Sequence, residues 1–211
     1  LETIGKEQMP RAYQLDSYEK LKEHINLQDF ESAKIIVTGD GRVARGTVEL
    51  LGFSNINQIT PNEFITKNHS TSVFCNLPTS TYVKHKNDKN FDLQHFIQSP
   101  DMYDSVLENF LPYATMLISS HYWDPKSPRL FEKQNIQEYN LLKVIGDITC
   151  DVNGSIPTTS RPSTIKNPYY YIDRITHKEI EKNKNSLAVM AIDNLPSELP
   201  KDSSEEFGDG I

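Results

Sequence analysis

The sequence predicts an α/β fold: a doubly wound, mainly parallel six-stranded sheet with an inserted helical and loop segment and a small hairpin. Three observations predict it. The run Lys34-Ile35-Ile36-Val37-Thr38 is β-branched and ends directly in glycine, as a buried parallel strand should. A glycine-rich turn, Gly39–Gly46, follows it and opens into a segment with helical spacing. Further short apolar runs then alternate with helical or irregular crossovers, the pattern of strands whose two faces are both covered.

Taken in order, residues 13–30 space Tyr13, Leu15, Tyr18, Leu21, Ile25 and Leu27 at intervals of three and four, a helix with Asp16 or Ser17 as its cap. Residues 1–30 read as an N-terminal helical linker and residues 31–200 as the main domain. After the strand at Lys34–Thr38, Val43, Ala44, Val48 and Leu51 mark a helix that stops at Gly52. Strands are expected at Asn55–Ile59, Thr71–Asn76, Thr115–Ser119, Leu142–Asp147 and Leu187–Ile192. Residues 78–113 are long for one crossover and read as an insertion, polar through Lys84–Asn90 and helical around Met102–Leu111. Residues 152–168, rich in Ser, Thr and Pro, read as a loop. Tyr169–Asp173 begins a hairpin that returns after Thr176-His177-Lys178, with its tyrosines in strand packing. The acidic tail at 201–211 is expected to fray.

The 211 residues carry a net charge of -7, with 36% hydrophobic and 24% charged residues. That composition is globular, and the acidic balance disfavours nucleic acid as a partner. No apolar run approaches the roughly 18 residues that span a membrane, so no membrane partner is expected. The start shows no signal-peptide pattern, and the missing initiator Met points to a trimmed N-terminus. Cys75 and Cys150 lie in strand-like runs and read as reduced thiols of a cytoplasmic protein.

The chemistry concentrates in Gly39-Asp40-Gly41-Arg42-Val43-Ala44-Arg45-Gly46, which fits G-x-G-x-x-A between a strand and an amphipathic helix, the Rossmann-type dinucleotide fingerprint. Gly39 permits the tight turn, Gly41 lets the backbone approach a pyrophosphate, and Ala44 allows close helix–strand packing. The amides at the helix start face the phosphates with the positive end of the dipole. A ribose-binding carboxylate is expected roughly 20 residues on. Ile59 and Thr60 stand there instead, with Glu63 slightly beyond and Lys67 as a distant candidate for a 2′-phosphate. The cofactor is therefore NAD or NADP, with the choice open.

The same loop resembles the cofactor loop of lysine-forming saccharopine dehydrogenases. Three further segments resemble that family in order: Ile118-Ser119-Ser120-His121-Tyr122-Trp123, Val144-Ile145-Gly146-Asp147-Ile148-Thr149-Cys150-Asp151, and Val189-Met190-Ala191-Ile192-Asp193-Asn194-Leu195-Pro196. The resemblance covers roughly residues 34–208 and is to the lysine–oxoglutarate reductase and saccharopine dehydrogenase branch of a group that includes alanine dehydrogenase and the nucleotide domain of transhydrogenase. It implies that Arg42 and Val43 sit at the pyrophosphate and that Thr60 replaces the family's ribose-binding aspartate. It also implies that Tyr122 and Ile145 lie along the cofactor, and that Ile192, Asp193, Asn194 and Leu195 meet the nicotinamide end. The family's acid/base lysine and histidine come from an upstream domain, so the catalytic residues are expected outside this chain, which reads as the cofactor half of a longer enzyme.

Other residues have two readings each. Asp147 holds a ribose and Asp151 a substrate amine, or both cap neighbouring loops. His121 donates to substrate or cofactor, or is a structural hydrogen-bonder. Arg161 pairs with a substrate carboxylate or is a solvated loop residue. The spacing of Asp147, Cys150, Asp151 and His121 fits no standard zinc pattern, and no metal is expected. The resulting expectation is an NAD(P)-dependent dehydrogenase acting on an imine–amine pair, with an amino acid and a 2-oxo acid as substrates. The sequence leaves room for a homodimer. The alternatives are a non-catalytic nucleotide-binding module and an alanine dehydrogenase.

Overall fold

The computed structural model describes residues 10–26, 30 and 32–209. The expected helix position Leu27 lies outside them. The first helix, α1, spans Tyr18–Asn26. The strand β1 (Lys34–Thr38) leads into α2 (Arg42–Gly52). Then come β2 (Asn57–Gln58), α3 (Pro61–Thr66) and β3 (Val73–Leu77). The insertion contains α4 (Thr79–Tyr82), β4 (Val83–His85), α5 (Leu93–Gln98) and β5 (Tyr103–Ser105). Beyond it lie β6 (Met116–Ser119), β7 (Val144–Asp147), β8 (Tyr169–Asp173), β9 (Glu179–Ile180), β10 (Ser186–Met190) and α6 (Pro200–Asp209).

The six expected parallel strands all form, and the hairpin joins them. The sheet has eight strands in the order β2-β3-β1-β6-β7-β10-β8-β9. The first six positions are parallel, and β8 and β9 add an antiparallel edge beside β10. From β1 the chain crosses to the edge strand β2, returns to β3 beside β1, and resumes on the other side of β1 at β6. The junction of β1 and β6 is therefore the topological switch point, where ligands of open α/β sheets bind at the carboxyl ends of the strands.

Alternation along β1 divides the core. Ile35 and Val37 face α2 and pack with Ala44, Leu51 and Phe74. Ile36 points to the opposite face, with Cys75, Leu117, Ile145 and Val189. That second face is closed by the insertion, through Tyr82, Tyr103, Leu107 and Leu111, and by Ile136, Tyr139 and Leu142. One layer is thus a regular helix and the other is largely irregular chain.

Two expectations need correction. The stretch expected to be helical around Met102–Leu111 is β5 followed by single 3-10 turns, because Tyr103–Ser105 pairs in antiparallel fashion with β4, and the α-helix of the insertion lies earlier, at α5. The tail expected to fray is helix α6, whose Asp202 carboxylate accepts from the Tyr18 amide (3.1 Å) at the start of α1. The Ser/Thr/Pro stretch at 152–168 is a loop as expected, and its segment Gly154–Thr159 is buried. Among the described residues no helix is long and apolar enough to cross a membrane.

Candidate functional site

The glycine loop leaves β1 at the switch point. Gly39 has φ +102°, and a Cβ there would stand 3.0 Å from the Ser120 carbonyl oxygen and 3.1 Å from His121 Cα. Its glycine is thus required twice, by backbone conformation and by the close approach of the β6 exit. Gly41 differs. It is the N-cap of α2 in an extended conformation, and a Cβ there would meet nothing within 4 Å. The protein itself leaves that space open. No side chain caps α2, and its first helical bond is Arg45 N to Gly41 O (3.0 Å). The preceding first-turn amides point out of the helix end beside exposed Arg42 and Val43, while Ala44 is buried against β1.

Side chains that the sequence reading missed hold this loop. The Asn76 amide of β3 donates to the carbonyls of Gly39 (2.8 Å) and Val37 (3.2 Å). Thr38 Oγ1 bonds His121 Nδ1 (2.8 Å) and accepts from Ser120 N (3.4 Å). Thr47 Oγ1 of α2 lies 3.2 Å from Ser120 Oγ. Nothing in the local sequence signals these contacts, because each joins segments that the parallel pairing of β1 with β3 and β6 brings together.

His121 is therefore a structural hydrogen-bonder through Nδ1, and its Nε2 is sealed without a protein partner. Burial pushes its pKa down to about 4, against the opposing pull of Asp147, so the ring is neutral near pH 7. The unfolded chain binds this proton more readily, so stability should decline as pH falls from about 6.5 towards 4. Urea midpoints across that range are expected to show the slope, and His121→Asn should flatten it.

Two cavities flank the loop and share Arg42. One, of about 450 Å³, is lined by the loop itself, by Tyr82, Leu93, Phe96 and Ile97 of the insertion, and by Ser120–Trp123 after β6. Leu93, Ile97, Val43 and Tyr122 are exposed apolar side chains gathered on this one crevice. The other, about 830 Å³ and more open, lies between Arg42, the Pro196-Ser197 turn and α6.

The remaining expected site residues divide sharply. Ile192 is buried, while Asp193 and Asn194 are exposed and lead with half-buried Leu195 into the Pro196 turn beside the larger cavity. Tyr122 is 89% exposed. Ile145 is wholly buried in β7 and has no surface in the crevice. Asp147 is wholly buried at the end of β7 and lines neither cavity. Its Oδ1 accepts from Ser119 Oγ (2.7 Å), Thr149 N (3.1 Å) and Thr149 Oγ1 (2.6 Å), and its Oδ2 from Thr159 Oγ1 (2.6 Å). Those bonds tie the ends of β6 and β7 to the buried loop, the loop-capping reading. Asp151 is exposed, with its carboxyl pushed up by partial burial and then by Asp147. Cys150, placed in a strand by the sequence reading, lies past β7 at φ 56°. Its thiol donates to the Ala191 carbonyl (3.1 Å) and is pushed up by burial and by three neighbouring aspartates. Cys75 is buried in β3, and both thiols are free. Arg161 is engaged by Glu179 through two bonds (2.9 and 2.6 Å) and stacks on Tyr170.

Thr60 is the clearest relocation. It follows β2, which is separated from β1 by β3, and it caps α3 by accepting from Glu63 N (3.2 Å). Lys67 pairs with Glu63 (2.8 Å), and that contact, with the Thr60 amide and hydroxyl, holds the Glu63 carboxyl down at about 2. The expected ribose position and its neighbours are thus a capping box at the sheet edge. Thr60→Ala should cost about 1 kcal/mol of stability in urea denaturation, with nucleotide titrations unchanged.

No family model matches the chain. Curated relatives do. The chain is 28% identical over 196 residues to the alpha-aminoadipic semialdehyde synthase of Arabidopsis thaliana, covering 82% of this chain and 18% of that protein. It is 28% identical over 200 residues to the mitochondrial alpha-aminoadipic semialdehyde synthase of Bos taurus, and 27% over 204 residues to that of Mus musculus, covering 82% of this chain and 21% of each. The chain thus spans about a fifth of the length of the curated relatives it matches. The resemblance carried by Gly39–Gly46 and Ile192–Pro196 is borne out: this chain is similar, over four fifths of its length, to one segment of the alpha-aminoadipic semialdehyde synthases, in keeping with a saccharopine dehydrogenase-like domain.

Proposed function

We propose that this chain is the NAD(P)-binding part of a saccharopine dehydrogenase-like oxidoreductase of lysine metabolism, working on an imine–amine pair formed from an amino acid and a 2-oxo acid. The observation that carries the reading is the uncapped start of α2 at Gly41, open to solvent between two cavities at the switch point. A pyrophosphate fits such a helix end, because unpaired amides and the helix dipole both favour an anion there. Arg42 at the first helical position adds a cation that both cavities share. A dinucleotide laid over the loop would put its adenosine in the smaller, apolar crevice and its nicotinamide towards Ile192–Leu195. The cofactor, when bound, supplies the hydride chemistry. The chain's own contribution is binding and orientation, with Asn194 available to the ring and Asp151 to a substrate amine. Acid/base groups for the imine would come from protein outside this chain.

Thermal melting with NADH and NADPH tests this reading. A ligand bound only by the folded state raises the melting temperature. Gly41→Val should abolish the shift while leaving the unliganded melting temperature nearly unchanged, since its side chain enters space the protein does not fill. A full shift in the Gly41→Val chain would contradict the proposed pyrophosphate position.

A further inference from the structure

The strand order moves the adenosine ribose to a different set of residues. In this fold a carboxylate at the end of the strand beside β1 ordinarily binds the ribose hydroxyls. Here that neighbour is β3, not β2. The end of β3 reads Asn76-Leu77-Pro78-Thr79 and carries no charge. Asn76 is occupied in holding the glycine loop. Among the described residues the smaller cavity nevertheless has one carboxylate in its wall, Asp40, between the two glycines. Thr79 Oγ1 lies 3.5 Å from Asp40 Oδ1, so the loop carboxylate and the β3 exit meet at the same edge of the cavity. The Tyr82 hydroxyl adjoins both, and burial pushes it up to about 12, so it remains a donor.

We propose that Asp40 supplies the ribose-binding carboxylate from within the glycine loop and thereby makes this crevice selective for NAD(H) over NADP(H). The inference rests on the cofactor-binding reading above. A carboxylate accepts from the 2′- and 3′-hydroxyls of an unmodified ribose. A 2′-phosphate brings a charge of about -2 to the same place, where it meets the like charge of the Asp40 carboxylate. Compensation would need a second cation. Among the described residues Arg42 is the one lysine or arginine in that wall and belongs to the pyrophosphate, and Lys84 and Lys86 of the insertion do not line the cavity.

Dissociation constants for NADH and NADPH, measured by calorimetry on the parent chain and on Asp40→Ser and Asp40→Asn, test this. The parent should favour NADH by at least about tenfold, the worth of one hydrogen bond to a charged group. Both substitutions should bring the ratio close to one, weakening NADH and strengthening NADPH. Asp40 is exposed, so both variants should melt like the parent without ligand, and the isosteric Asn variant guards against a packing effect of Ser. Equal or tighter binding of NADPH by the parent, or an unchanged ratio in both variants, overturns the role of Asp40. Binding of neither nucleotide overturns the cofactor-binding reading itself, and this inference with it.

Discussion

Gly39→Ala is expected to lower folding stability by about 2–4 kcal/mol, the combined cost of a side chain at φ +102° and of overpacking. The atoms that a Cβ meets are the Ser120 carbonyl oxygen, His121 Cα and His121 Cβ, all backbone or fixed directly to it, so no flexible side-chain end can swing away. Relief requires moving the β6 exit away from β1, which also strains the Thr38–His121 bond. Urea denaturation should show a lower midpoint with an unchanged slope. The contrast with Gly41 is informative. Two glycines in one motif should separate, one failing in stability and the other in ligand binding. A Gly39→Ala chain as stable as the parent would mean that the β1 and β6 ends are not packed as described.

Asp147→Ala should cost about 3 kcal/mol or more, because it strips the acceptor from the Ser119, Thr149 and Thr159 hydroxyls around a buried site, each worth roughly 1–3 kcal/mol if left unpaired. Asp147→Asn should be milder, since one oxygen remains and the Thr159 hydroxyl can turn to accept from the new amide. The same urea measurement checks both. A negligible loss in Asp147→Ala would show that the carboxylate does not organise the strand ends, and would return it to the set of ligand-binding candidates.

The parts of the fold legible in the sequence are those fixed by short-range pattern. The β-branched strand, the glycine turn and the helix at Val43–Leu51 follow from residues within about one helical turn of each other. The order of strands does not. β2 has two residues, both polar and exposed, and nothing in Asn57-Gln58 reveals that β3 intervenes between it and β1. Seeking the ribose carboxylate at Thr60 followed from that hidden exchange. The burial of the Ser/Thr/Pro loop was hidden for a related reason. Thr159 is buried with its hydroxyl donating to Asp147, twelve residues away, and nothing within the loop itself names that partner. The apolar wall at Leu93, Phe96 and Ile97 stands at the helical spacing i, i+3, i+4, which the reading of the insertion passed over, and that spacing alone does not name the glycine loop as its neighbour.

Trp123 offers the most direct measurement of the central claim. It is the single tryptophan of the chain and stands in the wall of the smaller cavity, its indole N–H donating to the Pro128 carbonyl (3.2 Å). Titrating NADH should quench its fluorescence along a saturating curve, with the Gly41→Val chain giving only the linear loss due to absorption by the nucleotide. Fluorescence that falls linearly and identically in the parent and Gly41→Val chains, up to millimolar NADH and NADPH, would contradict a dinucleotide site at the β1–β6 switch point.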